Sequence, residues 1–109
     1  MDKKGNYKYI RVEYKNILKE KIPKGTEIKI AYGGYFIKGL PGLGKIKINR
    51  LKSGNYNYKE LKTILEGKIK DIKRIVVKGM PELPSQAING VVKALDELKY
   101  KESLVIALP

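Results

Sequence analysis

Apolar and polar residues alternate through most of the first half of the chain. In YKYIRVEY (7–14), Ile10, Val12 and Tyr14 fall on one side and Tyr7, Tyr9, Arg11 and Glu13 on the other, a period of two that predicts a strand. TEIKIAY (26–32) repeats the pattern, with Ile28, Ile30 and Tyr32 inward and Glu27, Lys29 and Ala31 outward. Gly33-Gly34 breaks it, and YFIK (35–38) reads as the returning arm of a hairpin. KIKINRL (45–51) alternates once more, with Ile46 and Ile48 inward and Lys45 and Lys47 outward. NILKEKIPKG (16–25) reads as a connection, or a short helical turn, ending at Pro23 and Gly25, so the first half is expected to be a β meander.

The period then changes. Asn57 followed by Glu60 has the spacing of a capping box with Asn as the cap. Tyr58, Leu61, Ile64 and Leu65 follow at helical spacing, and Gly67 is the expected stop. KRIVVK (73–78) is a short strand with an apolar centre. Pro84 suits a first helical turn, where no amide hydrogen is needed. Ile88, Val91, Val92, Leu95 and Leu98 form one apolar stripe, and SLVIAL (103–108) is a buried strand. Gly90 falls mid-helix, where it costs about 1 kcal/mol against Ala unless close packing requires it.

The order β-β-β-β-α-β-α-β predicts an α/β fold, with α+β as the alternative. Antiparallel N-terminal strands precede a β-α-β-α-β unit whose two helices pack on one sheet. Strand 73–78, helix and strand 103–108 should form a right-handed parallel crossover, and KIKINRL, helix and RIVVK a second. The length of 109 residues fits a single domain, 1–109, with a β-rich half (1–52) and an α/β half (53–109).

Charge adds a functional pointer. Lys and Arg number 24 against 11 Asp and Glu, a net +13. Residues 1–52 hold 14 basic against 4 acidic residues, and residues 53–109 hold 10 against 7, so +10 of the +13 belongs to the β-rich half. A highly charged composition rich in Lys, Ile and Tyr fits a thermophile, of archaeal or viral origin, or an AT-rich genome. Ion-pair networks alone would nevertheless bring matching Glu. The excess favours a polyanionic partner, nucleic acid or an oligonucleotide. The chain has neither Cys nor His, which removes thiol nucleophiles, thiolate zinc sites and the commonest general base. Its sparse carboxylates show no spacing suited to acid–base or metal-dependent work. No catalytic residue, metal or other cofactor is therefore expected, and the enzyme question leans towards no. No apolar run is long enough to span a membrane, and the polar start MDKKGNYKYI lacks the core of a secretory signal, so a cytoplasmic protein without a membrane partner is expected.

Three features carry candidate chemistry. GLPGLGKI (39–46) matches the frame G-x-x-x-x-G-K of a phosphate-binding loop. A magnesium-binding Ser or Thr is replaced by Ile46, and a strand pattern follows instead of a helix, so the expected structure is a glycine turn. GMPELPSQ (79–86) does precede a helix. Ser85 and Gln86 at its start, with Lys78 before the loop, are expected to form a compact phosphate pocket, the alternative being a helix cap and a stiff connection. Tyr7, Tyr9 and Arg11, with the outward Lys29, Lys45 and Lys47, are expected to form an extended face where bases stack and phosphates are neutralised.

Residues 45–109 also resemble a known family in order and punctuation. KIKINRL, YKELKTIL, RIVVKG, MPELPSQAINGVVKAL and SLVIALP match the succession of strand, helix, strand, Pro-containing turn, helix and strand in CRISPR-associated ring nucleases of the third type, with Gly79 and Pro81 at the turn. The resemblance implies a Rossmann-like fold that binds cyclic oligoadenylate. The family's His residues have no counterpart here, so binding rather than cleavage is what it implies.

The leading expectation is a small basic binding protein for nucleic acid or a nucleotide phosphate. One alternative is a cyclic-oligonucleotide sensor of CRISPR defence or anti-defence, which would bind at a homodimer pocket. The other is a module that docks on a protein partner within a nucleic-acid machine.

Overall fold

The computed structural model describes residues 11–16, 24–79 and 85–108. The strands are β1 (Arg11–Asn16), β2 (Thr26–Ala31), β3 (Gly34–Lys38), β4 (Ile46–Asn49), β5 (Arg74–Gly79) and β6 (Ser103–Leu108). Helix α1 (Tyr58–Glu66) lies between β4 and β5, and helix α2 (Ser85–Glu97) between β5 and β6. The six strands form one sheet in the order β1-β6-β5-β2-β3-β4. The fold is mixed α/β, as the periodicity predicts.

The meander survives over β2, β3 and β4, which pair antiparallel. Strand β1 does not join it: β1 pairs parallel with β6, at the opposite side of the sheet. The crossover β5-α2-β6 joins neighbouring parallel strands, as expected. Strands β4 and β5 are not neighbours, because β5 pairs parallel with β2, which leaves β2 and β3 between it and β4. The physical reason lies in β5 itself. Ile75, Val76 and Val77 are all buried, so β5 is covered on both faces and takes an interior place. The alternating β4, with Lys47 exposed and Ile48 buried, suits the outside.

One face of the sheet packs on α1 and α2. Ile28, Ile30, Tyr35, Ile37, Ile48, Ile75 and Val77 meet Leu61 and Leu65 of α1 and Ala87, Val91 and Leu95 of α2 in one cluster. Each large aliphatic side chain fully buried there contributes about 1.5–3 kcal/mol. Tyr32, expected inward, is 55% exposed because the strand ends at Ala31 and Tyr32 belongs to the turn.

Helix α1 starts as predicted. Asn57 Oδ1 accepts from the Glu60 backbone amide at 3.2 Å, and Asn57 Nδ2, in place of the backbone N–H of a capping box, donates to Glu60 Oε1 at 3.2 Å. Gly67 closes the helix with ordinary right-handed angles. Helix α2 ends on Lys99, a non-glycine residue at φ 60°, and the Tyr100 amide donates back to Leu95 O at 3.0 Å. The Tyr100 hydroxyl then donates to Ile72 O at 3.1 Å, which ties the end of α2 to the residues leading into β5. No described helix is long and apolar enough to cross a membrane.

Candidate nucleic-acid interface

The two-residue turn Tyr32-Gly33 sets the pairing of β2 with β3, so that Ala31 stands opposite Gly34 and Lys29 opposite Phe36. Strand β4 places Lys47 opposite Phe36, and β5 places Lys78 opposite Lys29. One row across four strands therefore reads Lys78, Lys29, Phe36, Lys47. It lies on the face turned away from α1 and α2, since its neighbours in sequence, Ile28, Ile30, Tyr35, Ile37, Ile48 and Val77, form the core. With strands about 4.8 Å apart, Lys29 and Lys47 flank Phe36 at about 10 Å from each other. The Lys47 ammonium lies 5.3 Å from the centre of the Phe36 ring.

The next row carries Glu27 opposite Lys38. Lys78 Nζ is 3.0 Å from Glu27 Oε1 and Lys38 Nζ 3.8 Å from Oε2, and the Glu27 side chain is only 19% exposed. Glu27, Lys29, Phe36, Lys38, Lys45 and Lys47 together line a groove of about 290 Å³. Among the described residues, four lysines and one glutamate give its lining a net +3. Towards β5 and β6 the same face is closed, with Val76 and Val105 each 2% exposed. The open, cationic part is thus the surface of β2, β3 and β4.

The predicted residues divide accordingly. Lys29, Lys45 and Lys47 meet in this groove. Arg11 lies on β1, in register with Ser103, while Tyr7 and Tyr9 lie outside the described residues. Phe36, Lys38 and Glu27 complete the groove. Phe36 is the functional candidate that reading along the chain misses. Its signal was present: a two-residue turn at 32–33 makes paired positions sum to 65, which sets Phe36 against Lys29.

Two of the three residues expected in the compact phosphate pocket, Gln86 and Lys78, have other partners among the described residues. Gln86 accepts from the Tyr56 amide at 3.0 Å and donates to the Tyr56 carbonyl at 3.5 Å, so both ends of its amide serve the chain entering α1. Lys78 points to the face opposite α2 and pairs with Glu27. Ser85 is the exposed first residue of α2, and residues 80–84 between them, Pro81 included, lie outside the described residues.

GLPGLGKI is a turn, as expected. The Leu43 amide donates to Leu40 O at 3.1 Å across Pro41 and Gly42, with Gly42 at φ 76°, the geometry of a type II turn. Leu40 is buried and anchors the loop, which then delivers Lys45 to the groove.

Two further polar constellations are structural. Arg50 Nε donates to Gly54 O at 2.8 Å, Nη2 bonds the same carbonyl, Nη1 donates to Tyr32 O at 3.2 Å, and the guanidinium stacks 4.5 Å from the centre of the Tyr56 ring. A cleft of about 320 Å³ beside Thr26 and Asp71 has its own partners, Thr26 Oγ1 donating to Gly39 O at 3.1 Å and Arg74 Nη1 to Lys24 O at 3.2 Å. Among the described residues no group of three or more His, Cys, Asp or Glu is placed to hold a metal ion.

Comparison with protein-family models, curated proteins and solved structures gives no match. The class that the fold and groove define is a small α/β protein with a basic, aromatic-bearing sheet face.

Proposed function

We propose that this protein binds single-stranded nucleic acid on the open face of β2, β3 and β4. The observation that carries the reading is the row Lys29, Phe36, Lys47: an aromatic ring between two exposed ammonium groups on a sheet. Stacking on an aromatic ring is worth about 1–3 kcal/mol per base and requires an unpaired base. The Lys47 ammonium over the ring is worth about 0.5–1 kcal/mol at an exposed site. A base therefore displaces it at a net gain and frees Lys47 for the adjoining phosphate. Duplex DNA is read by elements that enter a groove, and no described element projects from this face.

The test is fluorescence anisotropy with a labelled single-stranded oligonucleotide and its duplex at low and moderate salt. The single strand should bind more tightly, and Phe36→Ala should weaken it by about 5- to 150-fold. Equal binding of both forms by wild type and Phe36→Ala rejects the stacking surface. No binding at low salt rejects the function.

A further inference from the structure

Glu27 is out of keeping with a surface built for phosphate. Among the described residues it is the only carboxylate lining the groove, and Lys29, Lys38, Lys45 and Lys47 share that lining. An ionised carboxylate repels phosphate and can only accept hydrogen bonds. Glu27 is also held in place: Lys78 fixes one oxygen at 3.0 Å, Lys38 stands 3.8 Å from the other, and the side chain is 19% exposed. Two ammonium contacts leave a carboxylate, with about four acceptor positions, able to take further donors. The register gives it a direction. Phe36 stands opposite Lys29, so Glu27, two residues along β2, is the diagonal neighbour of Phe36. Diagonal neighbours lie about 7–8 Å apart, within reach of an aromatic or long side chain. A base stacked on Phe36 brings its polar edge over that diagonal.

We propose that Glu27 reads the base stacked on Phe36 and selects bases that present an exocyclic amino group towards it. This rests on the single-strand reading of the same groove. The amino group of cytosine donates to a carboxylate, a recognised pairing in base readout. Uracil presents a carbonyl oxygen at the same position, which sets two acceptors against each other. The lysines bind phosphate whatever the sequence, so the preference comes from Glu27 alone. Its two ammonium partners hold the carboxylate in place before the base arrives, which spares the complex the cost of ordering it.

Oligo-deoxycytidine and oligo-deoxyuridine of equal length, whose bases differ at this edge, are the probes. Wild type should prefer deoxycytidine by about five-fold or more at fixed salt. Glu27→Gln presents both a donor and an acceptor and removes a negative charge. It should therefore bind both oligonucleotides at least as tightly as wild type, with their ratio close to one. Phe36→Ala should also bring the ratio close to one while weakening both, because the base is no longer held over the carboxylate. Equal binding of the two by wild type overturns the assignment of Glu27 and leaves the nucleic-acid reading intact. A wild-type preference that persists in Glu27→Gln overturns it equally. Failure of wild type to bind either oligonucleotide at low salt overturns both readings. Should Glu27→Gln not fold, as judged by circular dichroism, Glu27→Asp keeps the charge and withdraws it by one methylene, and its ratio should fall below that of wild type; an unchanged ratio overturns the assignment.

Discussion

The hydroxyl of Tyr35 occupies the space that a side chain at Gly90 would need. Tyr35 Oη donates to Ala87 O at 2.7 Å and lies 2.7 Å from the position of a Cβ built on Gly90, with Tyr58 Cβ 3.1 Å from the same point. Glycine in the middle of α2 is the close-packed case, and the hydrogen bond of a core tyrosine depends on it. Gly90→Ala gains about 1 kcal/mol in helix propensity. Overpacking costs about 1–3 kcal/mol, so the net change should be destabilising. Removing the hydroxyl relieves the clash. In a Tyr35→Phe background the penalty of Gly90→Ala should shrink by about 1 kcal/mol, as expected of residues in contact. Urea unfolding of the four proteins in the cycle measures it, and strict additivity would show that the two sites do not meet.

Gly34 is constrained by its backbone. It sits at φ 136°, and a Cβ there would lie 2.0 Å from Ile48 O on the neighbouring strand. Gly34→Ala must therefore part β3 from β4 or distort the turn. A loss of about 3 kcal/mol or more is expected in urea unfolding. Because the turn also sets Phe36 between Lys29 and Lys47, oligonucleotide affinity should fall with it.

The fold should be sensitive to alkali. Burial raises the phenol of Tyr35 above its ordinary 10.0, and the neighbouring Tyr56 adds to the shift. Burial raises Tyr100 as well, Glu102 adding and Arg74 opposing. The folded state thus keeps both protons where the unfolded chain releases them. Their contribution is complete below about pH 10 and declines as pH rises above it, by up to about 1.4 kcal/mol per pH unit for each proton. Phenolate absorbance followed during unfolding isolates the tyrosine part. Tyr100→Phe should flatten the alkaline limb, and an unchanged limb would remove Tyr100 from the account.

Lys29 and Lys47 should act on phosphate rather than sequence. Each replacement by Gln should lower the slope of log affinity against log salt by about 0.7, the value for one phosphate on a single strand. The ratio between oligonucleotides of different base should not change. Titrations at three salt concentrations give both numbers, and a changed ratio with an unchanged slope would assign these lysines to base contacts.

Much of this architecture can be read from residue order, because alternation reports which side chains face the core. Alternation marks strands β2 to β4 and the outward Lys29 and Lys47, the Asn-x-x-Glu spacing marks the cap at Asn57, and the glycines mark the turn at Pro41-Gly42. Alternation says nothing of a strand's neighbours, and there the expectation parts from the fold. Nothing within RVEYKN specifies β6 as the partner of β1. The run Ile75-Val76-Val77 carries a signal for the interior place of β5, since a continuous apolar run marks a parallel strand covered on both faces. Treating strand, helix and strand as adjacent neighbours overrode that signal. The same alternation fixes the side on which Lys78 lies. Val77 belongs to the helix-covered core, so Lys78, one residue on, faces away from α2.

Strand β4 is the outermost described strand on its side of the sheet, only four residues long, and it carries Lys47 with Lys45 just before it. Shortness and lysine are what keep an exposed strand from templating another chain. The cations proposed to hold phosphate therefore also guard the molecule against edge-to-edge aggregation. Neutralising them removes the charge that protects this strand, next to a partly exposed phenylalanine. Variants made to abolish binding are better built by charge reversal, which rejects phosphate yet keeps the strand charged and unfit for self-assembly.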